Sequence, residues 1–178
     1  MSISPTSIIL IGMPGCGKST LGRRLAKRLQ RPFIDTDTVI EQTTGHSLQA
    51  HIDHAGVDAF AELEQSVGLA LQPAHPSVIA TGGSMVYSTP AMQHLRALGR
   101  VIFLDVPLEQ LRQRVGSGQG RGLLQRGPGG LDALYAERRP MYLQHAHQVV
   151  ALEAGDPDQH VDRVLESLEQ PTPRRKGS

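Results

Sequence analysis

Cysteine and tryptophan are nearly absent from this 178-residue chain, which has one Cys, no Trp and only 3% aromatic residues. A single Cys excludes a disulfide framework and any zinc site built on cysteines. Three Phe and three Tyr leave little from which to build base-stacking platforms. Eighteen basic against 17 acidic side chains, a net charge of +1, give no footprint for nonspecific nucleic-acid binding. No apolar run approaches the roughly 18 residues that a membrane-spanning helix needs. The first seven residues carry no basic n-region, and the apolar stretch after them is too short for a signal peptide, so the cytoplasm is the expected compartment. Lysine is scarce too: it stands at positions 18, 27 and 176, and the other 15 basic residues are Arg.

What is present suits a folded domain. A 39% apolar fraction with 20% charge excludes wholesale disorder, and the length allows one domain with a substantial core. Ile8-Ile-Leu-Ile11 is a short apolar run ended by Gly12, the pattern of a buried strand. Leu21, Leu25, Ala26 and Leu29 then recur at helical spacing, and Pro32 closes that helix before a second strand at Phe33-Ile34. Helical patterns follow at 37–43 and 57–72, a strand at Val78-Ile-Ala80 and a helix at 90–98. A strand at 101–106 and a helix at 108–115 lead into a stretch, 116–130, in which seven of fifteen residues are Gly. A helix at 131–145, a strand at 148–152 and an amphipathic helix at 158–169 complete the pattern. Strands alternating with helices predict an α/β fold with a central parallel sheet of five strands covered on both faces. Residues 1–170 are therefore expected to form one domain, with 116–130 as a lid and 171–178 as a solvated basic tail.

Gly12-Met-Pro-Gly-Cys-Gly17-Lys18-Ser19-Thr20 fits the phosphate-loop pattern G-x-x-x-x-G-K-[ST], placed after a predicted strand and before a predicted helix. Gly12, Gly15 and Gly17 let the backbone turn so that successive N–H groups point into one anion-sized nest. The helix N-terminus adds its dipole. Lys18 supplies a point charge for the β- and γ-phosphates, and the Ser19 hydroxyl suits Mg²⁺. Cys16 lies within the loop, where a small residue is needed. The expected ligand is ATP or GTP.

Phosphoryl transfer also needs a metal clamp and a group that holds the acceptor hydroxyl. Asp35-Thr-Asp37 ends the second predicted strand, at the sheet edge where open parallel sheets bind ligands. An Asp before a helix can equally be an N-cap. Gly82-Gly83, after the third strand, offers backbone N–H groups at the same edge.

Together these segments resemble the shikimate kinase family of P-loop folds. The resemblance runs from about Ile8 to Leu168 through the Gly12–Thr20 loop, Phe33-Ile-Asp-Thr-Asp37 and Ala80-Thr-Gly-Gly83. It continues in Arg121-Gly-Leu-Leu124 and Glu137-Arg-Arg-Pro-Met-Tyr142. It implies a three-layer α/β/α kinase with a lid, using ATP and Mg²⁺ to phosphorylate a small hydroxylated acid. Asp35 would hold Mg²⁺ through water, and Asp37 would orient the acceptor hydroxyl. Gly82 and Gly83 would contact the acceptor, Arg121 would close over the phosphates, Arg138 would pair with the acceptor carboxylate, and Arg114 would lie near the adenine. Arginine suits these roles because its planar fork matches carboxylate and phosphate oxygens.

Three positions depart from the family pattern. Ala61, in Phe60-Ala-Glu-Leu-Glu64, stands where the family has a shikimate-anchoring Arg, leaving Glu64 without that partner. Ser84 replaces the third glycine of the family's triplet, and Gly122 a proline. A lost charge-assisted hydrogen bond, worth roughly 1.5–3 kcal/mol, weakens binding by about ten- to more than a hundredfold. Either Arg139 or one of His46, His51 and His54 compensates, or the acceptor is another acid such as homoserine or gluconate. A nucleotide-binding regulatory protein without turnover is the rival from another class. A monomer that binds neither nucleic acid nor membrane is expected.

Overall fold

The computed structural model describes residues 6–116 and 129–170. Five strands form one parallel sheet: β1 (Ser7–Ile11), β2 (Phe33–Asp35), β3 (Val78–Ala80), β4 (Gly99–Asp105) and β5 (Gln148–Ala151). Their spatial order is β2-β3-β1-β4-β5. The continuous apolar run of β1 sits at the centre because every one of its residues is buried. It pairs with β3 from Ile8 opposite Val78 and with β4 from Ser7 opposite Gly99.

Helices cover both faces. They are α1 (Lys18–Leu29), α2 (Thr36–Thr44), α3 (Leu48–Ala70), α4 (Thr89–Leu98), α5 (Leu108–Gly116), α6 (Gly130–His145) and α7 (Pro157–Glu169). Helix α1 packs on β2 and β3 and meets α7, while α4 packs on β1 and β4 and meets α3. The apolar stripe of α1, Leu21, Leu25 and Ala26, is buried against the sheet. Gly22 lies on this face because a Cβ there would meet the Phe33 ring at 2.5 Å. A smaller apolar cluster of Ile40, Phe60 and Val67 joins α2 to α3.

The five-stranded parallel architecture matches the sequence expectation, with differences at the edges. Helix α3 begins at Leu48, nine residues before the expected 57, because Ser47 caps it by accepting from the Ala50 amide. Gly56, at φ 84° and ψ 173°, breaks the helix internally, so its apolar period is interrupted and only the second half reads as helical. Strand β4 starts at Gly99 and ends at Asp105, and a one-turn 3₁₀ segment, Met85–Tyr87, was not anticipated. Helix α5 extends to Gly116 and α6 starts at Gly130, trimming the expected lid at both ends; residues 117–128 and the 171–178 tail lie outside the described residues. No helix among the described residues is long and apolar enough to cross a membrane.

Candidate active site

The loop between β1 and α1 has the backbone that its glycines predict. Gly12 (φ 152°), Gly15 (φ 77°) and Gly17 (φ 96°) all take positive φ values. At Gly12 a Cβ would also lie 2.9 Å from the Leu104 carbonyl oxygen, so any side chain is excluded twice over. Gly17, by contrast, has open space around its missing Cβ and is required for conformation alone. Lys18, almost fully buried at 8% exposure, donates from Nζ to the carbonyls of Gly12 (2.8 Å) and Met13 (3.0 Å). Its ammonium lies 3.7 Å from the Cys16 Sγ, and Cys16 is buried in the loop wall.

Arg114, near the end of α5, donates from Nη1 to the Cys16 carbonyl at 3.2 Å. It lines a cavity of about 230 Å³ beside the loop, together with Gly15, Gly17, Thr20, Leu152, Pro157 and His160. An apolar slot walled by an arginine and opening next to a phosphate nest has the chemistry of a nucleobase site. The last three residues were invisible to motif reading, because they come from the end of β5 and the start of α7. A larger cleft, between α1 and α7, lies among exposed ion pairs such as Arg24–Asp158 and does not touch the loop.

Ser19 and Asp35 come together across the mouth of the loop, the hydroxyl donating to Asp35 Oδ2 at 2.5 Å. Asp35 is also the N-cap of α2, since its Oδ1 accepts from the Asp37 amide at 3.1 Å. The capping and metal readings of Asp35 are thus compatible, one oxygen serving each. Among the described residues no group of three or more His, Cys, Asp or Glu could enclose a metal. A hydroxyl and a carboxylate oxygen beside a phosphate nest nevertheless fit Mg²⁺, which takes few protein ligands and completes its shell with phosphate and water.

Asp37 lies in the first turn of α2, facing the start of the β3 loop. Burial, followed by the charge of Asp35, pushes its carboxyl up from 3.8 to about 6, and the Lys18 charge opposes this. Gly82 is held by its amide donating to the buried Thr36 hydroxyl at 2.9 Å. A Cβ at Gly82 would lie 2.7 Å from Asp37 Oδ1 and against the Glu64 carboxylate, so both acids crowd this backbone. The Tyr142 hydroxyl donates to the Gly83 carbonyl at 2.5 Å, and burial drives the Tyr142 phenol well above its ordinary pKa.

Arg138 faces Gly83: its Nη1 would stand 3.2 Å from a Cβ there. It is only 2% exposed, and no carboxylate among the described residues lies within ion-pair distance. Its Nε donates to the Tyr87 hydroxyl at 3.1 Å and its guanidinium lies over the Tyr87 ring, 5.0 Å from the centroid. The structure therefore brings Lys18, Ser19, Asp35, Asp37, Gly82, Gly83 and Arg138 to one edge of the sheet, with Arg114 on the nucleobase side. Arg121 lies outside the described residues.

Of the suggested substitutes for an arginine at 61, Arg139 already has a carboxylate partner. Arg139 is gripped by Asp105 at the end of β4, with Nε and Nη2 donating at 3.2 and 2.7 Å, so it is committed to that carboxylate. His46 and His51 pack edge to face, with ring centroids 5.8 Å apart. Glu64 is buried and accepts a hydrogen bond from the Ser84 hydroxyl. Two departures from the family pattern thus meet, because the acid beside Ala61 takes a hydroxyl from the position of the third glycine. Sequence reasoning gave no role to Thr36 and Tyr142, although both lie within quoted motifs, nor to Tyr87, four residues after Gly83.

The shikimate kinase family model matches residues 14–169. A shikimate kinase of Paracidovorax citrulli is 44% identical over 153 residues, covering 84% of each chain. One from Symbiobacterium thermophilum is 38% identical over 92% of this chain and 97% of its own. A solved shikimate kinase of Acinetobacter baumannii, in complex with shikimate, superimposes with a TM-score of 0.85 at 31% identity, covering 92% of this chain and 93% of its own. With a family match across nearly its whole length and relatives this similar, the chain belongs to the shikimate kinase family.

Proposed function

We propose that this chain transfers the γ-phosphoryl group of ATP to the 3-hydroxyl of shikimate, a step toward chorismate and the aromatic amino acids, as a cytoplasmic monomer. The observation that carries the choice of acceptor is Arg138, a buried guanidinium with no carboxylate partner among the described residues, facing Gly83 at the sheet edge that also holds Asp37. A buried cation without a counter-ion is costly, and a carboxylate on the ligand offsets that cost while fixing the ligand's orientation. The A. baumannii relative, solved with shikimate, supports the same acceptor.

Each side chain then has a role. Backbone N–H groups of the Gly12–Ser19 loop and the α1 N-terminus bind the phosphates, with Arg114 beside the base. Lys18 turns from the loop carbonyls to the β- and γ-oxygens. Arg121, in its expected lid role, adds charge over the transferring group. Asp37 accepts the proton of the acceptor hydroxyl as its oxygen bonds to the γ-phosphorus and the bond to the ADP oxygen breaks. Mg²⁺ would be held by Ser19 and, through water, by Asp35, and would neutralise charge on the β- and γ-phosphate oxygens.

ADP release measured with ATP and Mg²⁺ against shikimate, homoserine, gluconate and nucleoside monophosphates tests the proposal. Turnover is expected with shikimate and at most traces with the others. Preferential turnover of homoserine or gluconate would replace the acceptor. ATP binding without any acceptor-dependent turnover would leave the regulatory-protein reading.

A further inference from the structure

Tyr87 reaches the acceptor side of the site through Arg138, and the turn that carries it is held by backbone bonds and core packing. It ends the 3₁₀ turn that follows Gly82-Gly83, where the Met85 amide donates to the Gly82 carbonyl (3.3 Å) and the Tyr87 amide to the Ser84 carbonyl (3.0 Å). Met85 and Val86 anchor that turn in the core at 1% exposure each. From this base the Tyr87 hydroxyl donates to Glu137 Oε1 at 2.9 Å, which aims an oxygen lone pair at Arg138 Nε, 3.1 Å away. The ring lies beneath the guanidinium. Arginine is thus fixed from two directions, by a hydrogen bond in its plane and by an aromatic face below it.

The in-plane bond has a geometric consequence. A guanidinium offers a carboxylate two kinds of forked seat: side-on, through Nε and one terminal nitrogen, or end-on, through both terminal nitrogens. With Nε held by Tyr87, the side-on seat that uses it is closed. Nη1, beside Gly83, belongs to the end-on seat.

We infer that Tyr87 is a positioning residue that forces an acceptor carboxylate onto the end-on seat of Arg138, and so sets how far the acceptor hydroxyl sits from Asp37. The inference rests on shikimate as the proposed acceptor. Phosphoryl transfer needs the reacting atoms within a few tenths of an ångström of alignment, so a carboxylate free to choose either seat weakens productive binding.

Tyr87→Phe keeps the ring and removes the hydroxyl. Steady-state kinetics should give a shikimate KM raised about tenfold and an ATP KM within twofold of the unaltered chain. The second arm places Tyr87→Phe in an Arg138→Lys background, where there is no Nε to hold, and the added change in shikimate KM should fall below twofold. Two results would overturn the inference: an unchanged shikimate KM in Tyr87→Phe, or an equal tenfold loss in the lysine background, which marks a merely structural tyrosine. Absence of shikimate turnover in the unaltered chain is a separate result, and removes the acceptor assignment on which the inference depends.

Discussion

Asp37 binds a proton more tightly in the folded chain than an ordinary aspartate does, its pKa rising from 3.8 to about 6. A raised carboxyl pKa has a definite sign for stability. Its contribution is fully present below pH 3.8 and is lost as the pH rises through about 6, where the folded state must hold a buried charge beside Asp35. Asp37→Asn should therefore stabilise the metal-free protein at pH 8, by up to about 3 kcal/mol, and the gain should vanish toward pH 4. Thermal melts in chelator at the two pH values measure this, and a less stable variant at pH 8 would contradict it. The same substitution should lower kcat at least about a hundredfold with little change in ATP KM, because it removes the proton acceptor. Stability gained where activity is lost marks a group kept for chemistry.

Ala61 gives a second residue-scale test. It stands one helical turn before Glu64, whose Oε2 is taken by Ser84 while Oε1 lies against Gly82. Ala61→Arg would place a cation within reach of that carboxylate and of the acceptor edge. The expected result is a shikimate KM lowered about five- to tenfold in steady-state kinetics. An unchanged or higher KM would mean that the Glu64–Ser84 contact has closed that position to a cation.

At the scale of elements, α2 is tied to the phosphate loop through one residue. Asp35 caps the helix with one oxygen and accepts the Ser19 hydroxyl with the other. Asn caps as well as Asp but binds Mg²⁺ less well, whereas Ala does neither. Asp35→Asn should leave the melting temperature within about 1 °C, while Asp35→Ala lowers it by about 2–4 °C, corresponding to roughly 1 kcal/mol. Both should raise the Mg²⁺ concentration needed for half-maximal activity. A normal metal requirement in Asp35→Asn would leave Asp35 as a cap only.

Elements also mark what could be read from sequence. The loop Gly12–Thr20 was legible because all of its determinants are contiguous: a buried strand, glycines with positive φ, and a helix. Asp35, Asp37, Gly82 and Gly83 were legible because they stand at or within three residues of the C-terminal end of a parallel strand, the place where ligands bind. Helix α3 was half legible, since Gly56 interrupts its apolar period. Tyr87, Leu152 and His160 carried no local signal, and Ser84 showed only as a departure from the family pattern. Their partners, Arg138, Glu64 and the phosphate loop, lie 51, 20 and more than a hundred residues away in the chain, and only the folded sheet brings them together.

For the whole molecule, the strand order β2-β3-β1-β4-β5 explains why one edge collects the chemistry. Parallel strands all point their C-terminal ends the same way, so the loops after β1, β2 and β3 converge, and β4 and β5 bring α5 and α7 to the nucleobase side. Sparse aromatics are then no deficit: the one tyrosine pair at the site, Tyr87 and Tyr142, holds Arg138 and Gly83. The most direct test of this account is the product itself. Phosphorus-31 NMR of a mixture of the chain, ATP, Mg²⁺ and shikimate should show a new phosphomonoester resonance, coupled to the proton on carbon 3, growing with ADP and at least about a hundredfold more slowly with Asp37→Asn. ATP consumed with no shikimate phosphoester, or a phosphoester formed only on a different acid, would contradict it.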